Sequence, residues 1–149
     1  MIDAPISSQT ASRPLRVTIL GGGSFGTAMA NLAARNNCDT RMWLRDPQTA
    51  QMMQTTRRNT RYLPDFEMDQ RLEFGADLAW AVKDRDLIFV AVPSHSFRSV
   101  LKQIAPLISG QAVVSLTKGI EPDTFAMMSE IIQQELPEVP YGEIGRAHV

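Results

Sequence analysis

Gly21, Gly23 and Gly26 stand in the spacing G-x-G-x-x-G, directly after the apolar run VTIL (17–20) and directly before a helix-compatible segment, 27–35. Strand, glycine turn and helix in that order are what a dinucleotide diphosphate requires. Gly21 allows the tight turn, Gly23 presents no side chain to the phosphates, and Gly26 lets the helix close on the strand. The free N–H groups of the first helical turn, and the helix dipole behind them, then face the phosphate charge. A second pair, Arg45 and Asp46, follows the next apolar stretch. A carboxylate there accepts from a ribose 2′-OH and favours NAD, whereas an arginine accommodates a 2′-phosphate and favours NADP. Asp46 is also placed to cap the helix that begins at Pro47. Arg45 comes first, so the residues favour NADP(H), with NAD(H) also usable.

Two further places carry chemistry-bearing groups. Lys118 follows the run AVVSL (112–116), where its ammonium can reach an anionic ligand. Ser94 and His95 follow LIFVAV (87–92), but no G-x-S-x-G elbow surrounds Ser94 and no acidic partner is evident. Pro93-Ser94-His95 is therefore read as shaping the floor of a ligand crevice and capping the next helix. The pairs Met52–Met53 and Met127–Met128 read as helix packing.

These groups need a scaffold that brings them to one edge. Strands are predicted at 17–20, 40–44, 72–74, 87–92 and 112–116, with a sixth beginning at 139–141. Helices are predicted at 25–36, 47–56, 77–82, 96–108 and 123–136. The segment 57–69 mixes charge with Tyr62-Leu63-Pro64 and reads as a loop. Strictly alternating strands and helices imply an α/β fold, a doubly wound parallel sheet covered on both faces in three αβα layers. In such a sheet ligands bind at the carboxyl ends of the strands. The glycine turn, Arg45–Asp46, Pro93–His95 and Lys118 all follow strands.

The bulk properties narrow the class. The chain has 149 residues, enough for one domain with a core, and a net charge of −1 with no basic block, which argues against nucleic acid and anionic membranes as partners. The single cysteine, Cys38, forms no internal disulfide, and no apolar run is long enough to span a bilayer. The cytoplasm is the expected compartment. Residues 1–14 (MIDAPISSQTASRP) lack hydrophobic periodicity and read as a disordered leader. Residues 143–149 (EIGRAHV) read as the translation of a sequencing-adapter oligonucleotide, so the cofactor domain is expected over 15–142 and His148 receives no functional weight.

Taken together, GGGSFGTAMA, WLRDP, RYLP, FVAVPSHSFRSVL and SLTKGIEPDTF, in this order and spacing, resemble the bacterial NAD(P)-dependent glycerol-3-phosphate dehydrogenases over residues 16–142. The resemblance implies a Rossmann-type cofactor domain and hydride transfer between NAD(P)H and dihydroxyacetone phosphate, making sn-glycerol 3-phosphate for phospholipid synthesis. It implies cofactor contacts at Ser24, Phe25, Arg45 and Tyr62. It implies a lysine, Lys118, shared between cofactor and substrate, and a homodimer at full length. The family's LSGP-like loop and its helical second domain, which carries the catalytic lysine, have no counterpart here. No catalytic residue is therefore assigned, and the chain alone is expected to be inactive. Three alternatives stand beside this reading. One is the cofactor domain of a 6-phosphogluconate or ketopantoate type dehydrogenase, against which the TKG and RYLP segments argue. Another is a nucleotide-sensing module without chemistry. The third is a methyltransferase, whose acidic ribose-binding residue would stand without Arg45 ahead of it.

Overall fold

A strand that is apolar on both faces has to lie inside a sheet covered twice. VTIL is such a strand: Val17 and Ile19 join one buried cluster and Leu20 joins another. A computed structural model of the chain, which describes residues 12–145, places this strand near the middle of a six-stranded sheet. The chain runs β1 (Arg16–Leu20), α1 (Ser24–Arg35), β2 (Asp39–Trp43), α2 (Pro47–Thr56), β3 (Arg58–Asn59), β4 (Leu63–Glu67), β5 (Glu73–Gly75), α3 (Leu78–Val82), β6 (Leu87–Val90), α4 (Ser94–Ile104), β7 (Ala112–Ser115), α5 (Met128–Glu135) and β8 (Tyr141–Glu143). A 3-10 turn (Ala105–Leu107) extends α4. The main sheet has the order β5-β2-β1-β6-β7-β8, and every neighbouring pair is parallel.

The two faces are covered by different helices. Ala30 and Ala34 of α1 and Ala50 and Met53 of α2 pack with Val17, Ile19 and Met42 on one side. Val82 of α3, Phe97, Leu101 and Ile104 of α4, and Ile131 and Ile132 of α5 pack with Leu20, Ile88, Val90 and Val113 on the other. Small residues on α1 let that helix approach closely. A Cβ at Gly26 would lie 2.8 Å from the Gly21 carbonyl oxygen and 3.2 Å from the Ala91 Cβ. The result is the doubly wound arrangement expected from the sequence. Strand order reverses between β1 and β6, which opens a crevice at their carboxyl ends.

Several boundaries differ from expectation, each for a local reason. The segment 57–69, predicted as a loop, contains an antiparallel hairpin of β3 and β4. Its longer strand is exposed at four of five positions and contains Pro64, so it shows no inward-facing alternation to read. The helix predicted over 123–136 starts only at Met128. Asp123 (φ 73°) and Phe125 (φ 59°) are left-handed and cannot sit in a right-handed helix. Glu130 instead accepts from the Met127 N–H at 2.7 Å and sets the start of α5. Helix α4 begins at Ser94, not Ser96, with Pro93 at its N-cap and no side-chain cap, so Ser94 and His95 do not cap it. The strand predicted at 72–74 pairs one residue later, and the one predicted at 139–141 pairs from Tyr141 because the Pro140 carbonyl takes the Val113 N–H at 2.9 Å.

Residues 1–11 of the expected leader and 146–149 of the expected tail lie outside the described residues. Of the remainder, Arg13 forks onto both Asp86 oxygens at 2.7 Å, and this pair holds the Asp86 carboxyl well below the usual carboxylate range. Glu143 is in register with Ser115, and the Ile144 N–H donates to the Ser115 carbonyl at 2.9 Å.

Candidate functional site

The crevice at the strand-order reversal is a cavity of about 570 Å³. Four separate segments line it. The glycine turn comes from the end of β1, Arg45 and Asp46 from the end of β2, Ser94 and His95 from the end of β6, and Lys118 from the end of β7. The hairpin adds Asn59, Arg61 and Tyr62 from the side. Residues as far apart in sequence as Gly21 and Lys118, 97 positions, thus meet because parallel strands all deliver their following loops to one edge.

The turn itself is built by backbone constraint. Gly21 has φ +123°, a region that side-chain-bearing residues rarely adopt, and its N–H donates to the Trp43 carbonyl at 3.0 Å. Gly23, by contrast, has ordinary extended backbone (φ −72°, ψ −179°), and a Cβ there would meet nothing within 4 Å. It borders the cavity, so the space it leaves open belongs to the crevice. Helix α1 starts at the next residue. Its first N–H groups, at Ser24, Phe25 and Gly26, precede any intrahelical acceptor and are free for an anion. Ser24 and Phe25 are exposed on this first turn and do not line the cavity. These features fit a diphosphate: a bare approach at Gly23 and a cluster of unspent donors behind it.

At the β2 end, Asp46 is the cap of α2. Its Oδ1 accepts from the Gln48 N–H at 3.2 Å, and its Oδ2 accepts from the Thr49 N–H at 3.1 Å and from the Thr49 hydroxyl at 2.6 Å. The Thr49 hydroxyl above all lowers the Asp46 carboxyl below its ordinary range. Both oxygens turn toward the helix, while Arg45 is exposed on the cavity wall. Asp46 is thus engaged in capping the helix, and both Arg45 and Asp46 border the crevice.

Two site residues were not legible beforehand. Asn59 is buried, and its side-chain amide donates to the Gly22 carbonyl and to the Thr27 hydroxyl, each at 2.9 Å, while its oxygen accepts from the Tyr62 N–H at 3.3 Å. It therefore fastens the Tyr62 hairpin to the glycine turn. The only signal was an asparagine three residues before Tyr62, inside a segment read as loop. Thr117, also buried, donates to the Val92 carbonyl at 2.6 Å and ties the ends of β6 and β7 under the crevice. Its neighbour Lys118 is exposed on the rim. Among the described residues no group of three or more His, Cys, Asp or Glu side chains is placed to hold a metal, and no helix is long and apolar enough to cross a membrane.

Comparison with known proteins agrees with this geometry. Residues 16–145 match the family model described as NAD-dependent glycerol-3-phosphate dehydrogenase N-terminus. A glycerol-3-phosphate dehydrogenase [NAD(P)+] of Acinetobacter baumannii is 67% identical over 128 residues, covering 86% of this chain and 36% of the relative, so the chain spans about a third of the length of that protein. The crystal structure of a glycerol-3-phosphate dehydrogenase from Coxiella burnetii superposes with a TM-score of 0.80 at 31% identity, over 86% of this chain and 39% of that one. A Plasmodium falciparum glycerol-3-phosphate dehydrogenase gives 0.80 at 28% identity, over 91% and 42%. The chain belongs to the NAD-dependent glycerol-3-phosphate dehydrogenase family and matches its N-terminal part.

Proposed function

We propose that this chain is the cofactor domain of a cytoplasmic glycerol-3-phosphate dehydrogenase. The full-length enzyme would exchange a hydride between NAD(P)H and dihydroxyacetone phosphate, giving sn-glycerol 3-phosphate for glycerophospholipid synthesis. The observation that carries the reading is the convergence of the glycine turn, Arg45, Tyr62 and Lys118 on one cavity at the strand-order reversal. In this reading the bound nicotinamide supplies the hydride. Gly23 and the N–H groups of Ser24 and Phe25 hold the diphosphate. Gly21 and Gly26 give the turn and the helix their shape. Arg45 pairs with a 2′-phosphate, which favours NADP(H) and leaves NAD(H) usable, and Tyr62 packs beside the cofactor. Lys118 stands where a phosphorylated substrate and the nicotinamide end approach each other. The second domain, and with it the group that moves the proton at the substrate oxygen, belongs to the rest of the enzyme, which works as a homodimer.

The test is twofold. The full-length protein is expected to oxidise NADPH when given dihydroxyacetone phosphate, whereas the 149-residue chain binds NADPH without turnover. Steady reduction of dihydroxyacetone phosphate by the chain alone would contradict the division of labour.

Arg45→Ala gives a sharper result. A charge-assisted contact to phosphate stabilises by about 1.5–3 kcal/mol, so NADPH affinity should fall by roughly 10- to 100-fold. NADH, which lacks the 2′-phosphate, should bind the variant about as well as it binds the parent chain. An equal loss for both nucleotides, read by calorimetric titration, would remove Arg45 from the 2′ position.

A further inference from the structure

Lys118 sits on a short strap, and the strap has an unusual anchor. Gly119 beside it has φ +95°. Ile120 bridges Met127, the Glu121 N–H donates to the Ala126 carbonyl at 2.8 Å, and the Phe125 N–H returns to the Glu121 carbonyl at 3.0 Å. Residues 120–127 thus form a closed loop that is tied to the rest of the protein by Ala126, packed against the core, and by the side chain of Glu121. Its two oxygens are held by Arg98 of α4 in a fork, Nε to Oε2 at 2.7 Å and a terminal nitrogen to Oε1 at 2.9 Å, and Thr124 donates to Oε1 at 2.6 Å. Arg98 is braced from behind by α5, reaching Glu135 at 2.5 Å and Gln134 at 2.8 Å.

The position of Arg98 in α4 is what gives the fork a consequence. Ser94 and His95 line the crevice, and Arg98 lies four and three residues further along, on the same side of the helix. The fork therefore links α4, one turn beyond the Ser94 and His95 that line one wall of the crevice, to the Lys118 strap that lines the other. A bidentate guanidinium–carboxylate pair fixes orientation as well as distance. It is also charged under all working conditions, because hydrogen bonding from Arg98 holds the Glu121 carboxyl at about 2.

We propose that Arg98 and Glu121 are positioning residues that set the reach of Lys118 into the crevice. The proposal rests on the reading of the crevice as a nicotinamide-dinucleotide site. Neither residue lines the cavity, so each acts through the strap.

A double-mutant cycle on the 149-residue chain, read as the dissociation constant for NADPH, separates positioning from general support. Lys118→Ala is expected to weaken binding about tenfold and Glu121→Gln about fivefold, in keeping with charged hydrogen bonds. The double variant should bind no more weakly than Lys118→Ala alone, because an anchor has nothing to place once the lysine is gone. Arg98→Lys keeps the charge and loses the fork. It should cost about threefold with Lys118 present and nothing without it, and it supplies the same comparison if Glu121→Gln unfolds. Multiplied losses, near fiftyfold in the double variant, would overturn the positioning role while leaving the site reading intact. An unchanged affinity in Lys118→Ala would overturn the proposal together with the role of Lys118. Absence of NADPH binding by the parent chain would overturn the site reading itself.

Discussion

Gly23→Val is expected to abolish measurable NADPH binding while leaving the domain folded. The two halves of this result come from different facts. Valine fits the protein: the backbone at Gly23 is extended (φ −72°, ψ −179°), a conformation valine prefers, and the new Cβ meets nothing within 4 Å. Gly23 is also the N-cap of α1 and makes no side-chain cap hydrogen bond, so the cost to the helix should not exceed about 1 kcal/mol. Valine does not fit the ligand. Its methyl groups would occupy the space in front of the unspent N–H groups of α1, where the diphosphate is proposed to lie. Losing two or more charged hydrogen bonds weakens binding by about 100-fold or more. Calorimetric titration and a thermal melt on the same sample check both halves. A stable variant that still binds NADPH normally would place the diphosphate elsewhere.

Gly21→Ala reverses the pattern and should cripple the fold. Here the Cβ would stand 2.3 Å from the Ala91 carbonyl oxygen and 2.7 Å from the Ala91 carbonyl carbon, at a φ of +123° that alanine rarely adopts. The obstacle is backbone that cannot give way, since the Ala91 N–H is itself paired with the Leu20 carbonyl at 2.7 Å. Strained backbone and overpacking together cost on the order of 3–5 kcal/mol, which lowers the melting temperature of a domain this size by about 10 °C or more. Gly22→Ala is the control: its Cβ would meet mainly the end of the Leu44 side chain, at 2.2 Å, and a side chain can turn aside. Urea denaturation of the three proteins should rank Gly21→Ala far below Gly22→Ala, with the parent chain highest. Equal stability of parent and Gly21→Ala would show that the turn is not held as described.

What could be read in advance was whatever a periodic pattern or a backbone requirement writes into the residues. The parallel sheet was legible because β1 and β6 are apolar on both faces, and only a doubly covered sheet accepts such strands. The glycine turn was legible because each glycine answers a separate steric demand. Asp46 as a helix cap was legible from a carboxylate directly before Pro47. The β3–β4 hairpin was not, since four of the five β4 residues face solvent and the buried Asn59 fastens it to the glycine turn by long-range side-chain hydrogen bonds. The late start of α5 was hidden for a related reason. Apolar spacing continues back to Phe125, but Asp123 and Phe125 take left-handed backbone within the Glu121 strap, which no periodicity announces. The site was thus readable where strands deliver single residues to the crevice, and opaque where long-range hydrogen bonds assemble it.

The central claim is that the N-terminus of α1, bared at Gly23, carries the cofactor's diphosphate. A crystal of the chain grown with NADPH tests it most directly. Diphosphate oxygens are expected at about 2.7–3.2 Å from the backbone nitrogens of Ser24 and Phe25, with the 2′-phosphate beside Arg45. NADPH well ordered in the crystal, but with its diphosphate away from this turn, would contradict it.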